Sequence, residues 1–193
     1  MDVHTQSFLN NHPCFNKGAS ANWGRVHLPV APNCNIQCNF CNRMYDCANE
    51  NRPGVTQKVY TPDEAVAYLE KLFKDRQDIS VIGIAGPGDP MCDADKTLPT
   101  FEKCRARFPH LMLCLSTNGL ALPEHVDDIV RIGVSHVTVT VNAVTPSVGG
   151  KVYAWVRYNG KTYTGEEGAA ILLARQDEGI RKLKEAGDRK SVV

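Results

Sequence analysis

Four short, strongly apolar stretches recur along the chain with helix-like segments between them, and this alternation restricts the fold more than any other feature. They are RVHLPVA (25–31), ISVIGIA (79–85), LMLCLS (111–116) and HVTVTVN (136–142). ISVIGIA is apolar without a break, as expected of a strand covered on both faces. The helix before it has a legible start: Thr61 can cap it, Pro62 fits its first turn, Glu64 completes a capping box, and Val66, Leu69, Leu72 and Phe73 form an apolar stripe. Leu98, Phe101 and Phe108 mark a second helical stretch. Pro123 opens a third, Val126, Ile129 and Val130 share one of its faces, and Gly133 ends it. A long fourth helix runs from about Gly165 to Ala186, behind an aromatic segment with Tyr153, Trp155, Tyr158 and Tyr163. Such alternation predicts an α/β fold of four βα units, with parallel strands and right-handed crossovers.

The last of these strands indicates how the sheet is used. In HVTVTVN, Val137, Val139 and Val141 point to one side and Thr138, Thr140 and Asn142 to the other. Apolar outward and polar inward suits a barrel with helices outside and a site within; a doubly wound open sheet is the alternative. In LMLCLS, Cys114 and Ser116 share a face about 6.6 Å apart, so a site that one faces is faced by both. His27 alternates with Val26 and Leu28 and is turned away from their apolar side.

Charge excludes some partners. With 22 Lys and Arg against 21 Asp and Glu, the formal net charge is +1 and no strong basic run exists, so neither a nucleic acid nor a membrane surface is expected. No stretch approaches the roughly 18 apolar residues of a membrane span. MDVHTQSFLN lacks the layout of a secretion signal, so a cytoplasmic protein is expected. Eight cysteines are many for a reducing compartment, where clustered thiols more often bind metal or do chemistry.

Three of them form CNIQCNFC, with Cys34, Cys38 and Cys41 spaced C-x3-C-x2-C. A four-iron cube takes one ligand per iron, so three cysteines would leave one iron open. Zinc, which favours four ligands, an electron-transfer cluster with a distant fourth cysteine, and a disulfide framework are the other readings of the spacing. The motif follows the first predicted strand by only a few residues, where the active sites of βα barrels sit.

With Phe40 before its last cysteine, the triplet resembles the signature of the radical S-adenosylmethionine superfamily. The longer strings HLPVAPNCNIQCNFCNRMYDCANENRPGV, AGPGDP, LCLSTNGLALP and HVTVTVNA resemble, within it, the family that builds the nitrogenase iron–molybdenum cofactor, over nearly all of residues 12–187. The resemblance implies a partial (β/α)6 barrel with about four units present. It also implies a 4Fe-4S cluster on Cys34, Cys38 and Cys41 whose open iron chelates S-adenosylmethionine, with Phe40 beside it. Gly86, Pro87 and Gly88 would receive its amino group, with Ser116, Asn118 and Asn142 as polar contacts.

Two further 4Fe-4S clusters would be precursors, fused with insertion of a carbide derived from S-adenosylmethionine and an added sulfur. His27, Cys47 and Cys114 would hold one, and Cys14 would help anchor the other. Glu50 and Arg52, just beyond Cys47, would support the cluster ligands or handle protons. The implied partners are an iron–sulfur cluster donor and a cofactor carrier or scaffold protein. A radical enzyme acting on an organic substrate and an electron carrier are the competing functions. Cys104 is expected to pack in a helix and Cys92 to be an incidental loop thiol, while His12 has no assigned role. Residues 1–24 read as an N-terminal segment, 25–187 as the βα units of a shortened core, and 188–193 as an artefactual tail, since DRKSVV resembles a translated sequencing adapter.

Overall fold

The computed structural model describes residues 12–13, 17–42 and 58–186. Its main sheet is four parallel strands in sequential order: β1 (Gly24–His27), β3 (Ile79–Ile84), β4 (Met112–Thr117) and β5 (His136–Val139). The crossovers are α1 (Pro62–Asp75), α2 (Ala94–Arg107) and α3 (Leu122–Ile132), and α5 (Gly165–Glu185) follows β5 after an excursion. The capping box opens α1 as its sequence requires: the Glu64 N–H donates to Thr61 Oγ1 (3.3 Å) and the Thr61 N–H donates to Glu64 Oε2 (2.9 Å). Gly133 ends α3 in the left-handed conformation, φ 77°, where a side chain would be strained.

Every one of these helices packs on the same face of the sheet. Leu69 of α1, Phe101 and Cys104 of α2, Val126 and Ile129 of α3 and Leu183 of α5 share one buried core with Val26, Ile82, Ile84, Leu113, Leu115, Val137 and Val139. Each fully buried Leu or Phe there contributes about 1.5–3 kcal/mol. A doubly wound sheet would carry helices on both faces, so the arrangement is an arc of a βα barrel with its strands inside and its helices outside. The predicted helix face of Cys104 is confirmed, and burial pushes its thiol pKa up to about 12, which makes it an inert packing group.

β1, β3 and β5 are shorter than their apolar stretches suggest, β4 is shifted by one residue, and two segments differ in kind. The cysteine-rich stretch expected to be wholly loop contains β2 (Ile36–Cys38), and the aromatic segment is a hairpin of β6 (Tyr153–Tyr158) and β7 (Lys161–Tyr163). β2 pairs antiparallel with β6, making a small second sheet ordered β2-β6-β7. The hairpin turns through Asn159 and Gly160, both at positive φ, the two-residue turn that suits strand twist. A short helix, α4 (Pro146–Val152), leads into β6. Ile36, Cys38, Tyr153 and Val156 then form a second core with Leu120, Ala143, Ala169 and Leu172. Three residues of strand carry too little periodicity to be read locally; pairing with β6 creates β2.

Candidate functional site

The strands' inner face is organised by register. His27 lies opposite Gly83, Gly83 opposite Cys114, and Cys114 opposite His136, so these four positions form one layer across the sheet. Below it lie Arg25, Val81 and Met112, and above it Ser116 and Thr138. Val81, Met112 and Cys114 form a small buried cluster separate from the helix-side core, which places Cys114 on the inner face with Ser116, as alternation predicted. Gly83 is where the layer makes room: a Cβ there would come within 2.9 Å of His27 Nε2.

Two more imidazoles close this layer. His136 is buried, and the ring of His12, fully buried from the N-terminal segment, lies with its centroid 4.3 Å from that of His136. Burial, then the charges of His136 and Arg25, lower the His12 pKa from 6.5 to about 3; burial, then Arg25, lowers that of His27 to about 4. Both are neutral near pH 7, the form in which imidazole binds a metal.

The cysteine triplet sits on the edge of the second core. Cys38 is buried in β2, while Cys34 and Cys41 are half-buried and pack against the same apolar cluster. The Cys41 N–H donates to the Cys38 carbonyl at 3.0 Å, and Gln37 Nε2 donates to the carbonyls of Cys38 (3.0 Å) and Cys41 (2.9 Å), fixing the turn between them. Asn39 anchors this turn to the end of α4, through its N–H on the Val152 carbonyl (2.9 Å) and its Nδ2 on that of Lys151 (2.7 Å). Asn118 reaches in from the end of β4: its Nδ2 donates to Cys34 Sγ (3.6 Å) and to Asn35 Oδ1 (2.7 Å). Tyr153, opposite Cys38 in register, is buried with its hydroxyl beside Asn142, and burial raises its pKa.

The loop GPGDP locks onto the chain just before Cys34. The Gly88 N–H donates to the Ala31 carbonyl at 2.6 Å and the Asp89 N–H to that of Asn33 at 2.7 Å. Glycine is obligatory at position 88, because a Cβ would meet the Asn33 carbonyl oxygen at 2.0 Å. The peptide between Gly86 and Pro87 is cis. Asp89 is buried, and its carboxylate accepts from Thr117 Oγ1 (3.0 Å) and from the N–H groups of Asn118 (2.5 Å), Met91 (3.0 Å) and Cys92 (3.2 Å). Those donors favour its charged form, but burial prevails and raises its pKa. Asp93 receives the N–H and Nδ2 of Asn33, both at 2.7 Å. Gln176 of α5 donates to the carbonyls of Asn118 (2.7 Å) and Thr140 (3.0 Å), tying together the ends of β4 and β5.

The structure thus joins the triplet, Asn118 and the Gly86–Gly88 loop into one bonded assembly, and places His27 and Cys114 in a separate layer. Ser116 and Asn142 are half-buried, and Phe40 is 53% exposed. Cys92 is on a loop, as expected, with its N–H on Asp89. Cys14, Cys47, Glu50 and Arg52 lie outside the described residues. Sequence reasoning missed Asp89, Asp93, Tyr153, Gln176 and His136. Only Asp89 had a local signal, an acid inside an otherwise apolar glycine and proline loop.

The donor set suits a cluster better than a single ion. Among the described residues no three His, Cys, Asp or Glu side chains converge to hold one ion, as structural zinc at the triplet would require, whereas a cube gives each thiolate its own iron. No disulfide joins the six described cysteines. Among the described residues no helix is long and apolar enough to cross a membrane.

Residues 28–193 match the Radical SAM superfamily model, and the chain belongs to that superfamily. Membership implies a 4Fe-4S cluster and S-adenosylmethionine. Within the superfamily the chain is similar to the FeMo cofactor biosynthesis protein NifB of Chlorobaculum tepidum, 48% identical over 179 residues, 93% of this chain and 42% of that relative. NifB of Sinorhizobium fredii is 49% identical over 187 residues, covering 97% of this chain and 38% of the relative. NifB of Klebsiella pneumoniae is 47% identical over 176 residues, covering 91% and 38%. The chain spans about two fifths of the length of the curated relatives it matches.

Proposed function

We propose that this chain is the radical S-adenosylmethionine core of a lyase- or transferase-type enzyme of nitrogenase cofactor assembly. Its reaction fuses two 4Fe-4S precursor clusters, with a carbide from S-adenosylmethionine and an added sulfur, into an 8Fe-9S-C product. The observation that carries this reading is the second donor layer: His27 and Cys114 share one register line of the inner face, apart from the triplet. An enzyme acting on an organic substrate has no need of it.

Cys34, Cys38 and Cys41 would hold the resident cluster, which with S-adenosylmethionine supplies one-electron reductive cleavage. Asn118 orients Cys34 through its hydrogen bond to Sγ. Gly86, Pro87 and Gly88 let backbone approach the amino group of S-adenosylmethionine closely, because no side chain intervenes. Ser116 and Asn142 offer polar contacts, with Phe40 alongside. His27 and Cys114, joined by Cys47, would receive one precursor cluster over the apolar floor of Val81 and Met112. Cys14 would help anchor the other, and Glu50 and Arg52 would move protons. A cluster donor upstream and a cofactor carrier or scaffold downstream are the partners this chemistry needs, in the cytoplasm.

Iron and sulfide counting after anaerobic reconstitution tests the reading. More than one cluster per chain is expected, with Cys114→Ala reducing the count while the signal of the triplet cluster persists. One cluster per chain, unaffected by Cys114→Ala, would return the protein to the organic-substrate class. An electron carrier would release no 5'-deoxyadenosine from S-adenosylmethionine on reduction.

A further inference from the structure

The inner layer holds more imidazole than His27 alone supplies. His136 stands directly opposite Cys114 on the adjacent strand, so their Cβ atoms are about 5 Å apart on one face. The other neighbour of Cys114 in the layer is Gly83, which has no side chain, so the space beside the thiol is bordered by His27 on one flank and His136 on the other. The ring of His12, which belongs to no strand, lies tilted by 51° against that of His136, with centroids 4.3 Å apart.

A packing role explains this poorly. Burying an imidazole removes it from water without the return an aliphatic side chain gives, and the opposite face of the same strands is filled with Val, Ile and Leu. Two buried histidines, His12 and His136, together with the half-buried His27, break that pattern in and beside the layer of Cys114, and such local departures mark functional sites.

We propose that His136 is a further contact of the precursor cluster, donating its ring N–H to a cluster sulfide or to the Cys114 thiolate, and that His12 is a positioning residue that holds the His136 ring in place. This rests on the reading that His27 and Cys114 receive such a cluster. A neutral imidazole has one N–H to give, and N–H donation to sulfur withdraws charge and makes a cluster easier to reduce.

The test uses the full chain with Cys34, Cys38 and Cys41 replaced by Ala, reconstituted anaerobically with ferrous iron and sulfide so that the second cluster is observed alone. His136→Phe should shift its midpoint potential negative and alter its electron paramagnetic resonance line shape. His136→Gln, which keeps an N–H donor, should recover part of the shift, and His12→Phe should give a smaller shift of the same sign. An unchanged potential and line shape in a folded His136→Phe protein overturns the proposal. Should that variant not fold, the parent chain labelled with [15N]histidine decides by pulsed resonance: a large coupling from His27 and a second, weaker one from His136 are expected, and a single coupling overturns it. Absence of any cluster in the triple-alanine parent removes the underlying reading, and this proposal with it.

Discussion

Leu113 and Cys114 are neighbours in β4 and point opposite ways. Leu113 enters the core beneath the helices with Ile82 and Phe101, while Cys114 enters the inner layer with His27 and His136. The helix side is built from interchangeable apolar volume, whose contribution depends on area and fit. The inner row of His27, Cys114 and His136, above the apolar Val81 and Met112, is built from donors, whose value depends on position. On the function proposed, the same strands carry stability on one face and chemistry on the other, and substitutions at adjacent positions should separate the two.

The largest expected effect falls on the helix side. Leu113→Ala leaves a cavity in a fully buried site and should cost about 3–4 kcal/mol, whereas Cys114→Ala should cost about 1 kcal/mol or less. Guanidinium denaturation of the cluster-free chain measures both; equal costs would erase the distinction between the faces. Next comes Asp89→Asn, which turns an amide donor toward the N–H of Asn118 or the hydroxyl of Thr117 in a buried network. It should cost about 2 kcal/mol and weaken S-adenosylmethionine binding by tenfold or more, read by equilibrium dialysis with the radiolabelled compound.

Acid should act on the inner face. His12 and His27 titrate near 3 and 4 instead of 6.5, so between those values the unfolded chain binds more protons than the folded one. Stability then rises with pH across that window: it is complete above about pH 6.5 and is lost as pH falls toward 4 and 3. The urea midpoint of the cluster-free chain should be lower at pH 5 than at pH 7, and His12→Phe should shrink the difference. Leu113→Ala should lower the midpoint equally at both pH values. The smallest effect belongs to neither face. Arg131, ion-paired with Glu102 and Asp128 on the exposed side of α3, can become Ala with no resolvable change in the same denaturation curve.

Legibility in the sequence followed the range of the forces involved. The capping box at Thr61 and Glu64, the left-handed stop at Gly133 and the inward side of Thr138 and Ser116 were all readable, because each depends on neighbours within a turn or on strand alternation. Three residues of β2 were not readable, since their partner β6 lies far along the chain. Asp89, Asp93 and Gln176 escaped for the same reason: they bond residues that become neighbours only when the strand ends gather. Tyr153 looked like one aromatic among several until its register set it opposite Cys38.

The sequence by itself determined the four βα units, the three-cysteine segment after the first strand, and which residues of each strand share a side, because hydrophobic period and thiol spacing are local properties. Only the tertiary structure decided that α1, α2, α3 and α5 cover one face, that β2 joins the hairpin of β6 and β7, and that His27, Gly83, Cys114 and His136 stand in one row. The physical reason is register. Alternation says which way a side chain points, but the hydrogen bonds between strands set which residue stands beside it.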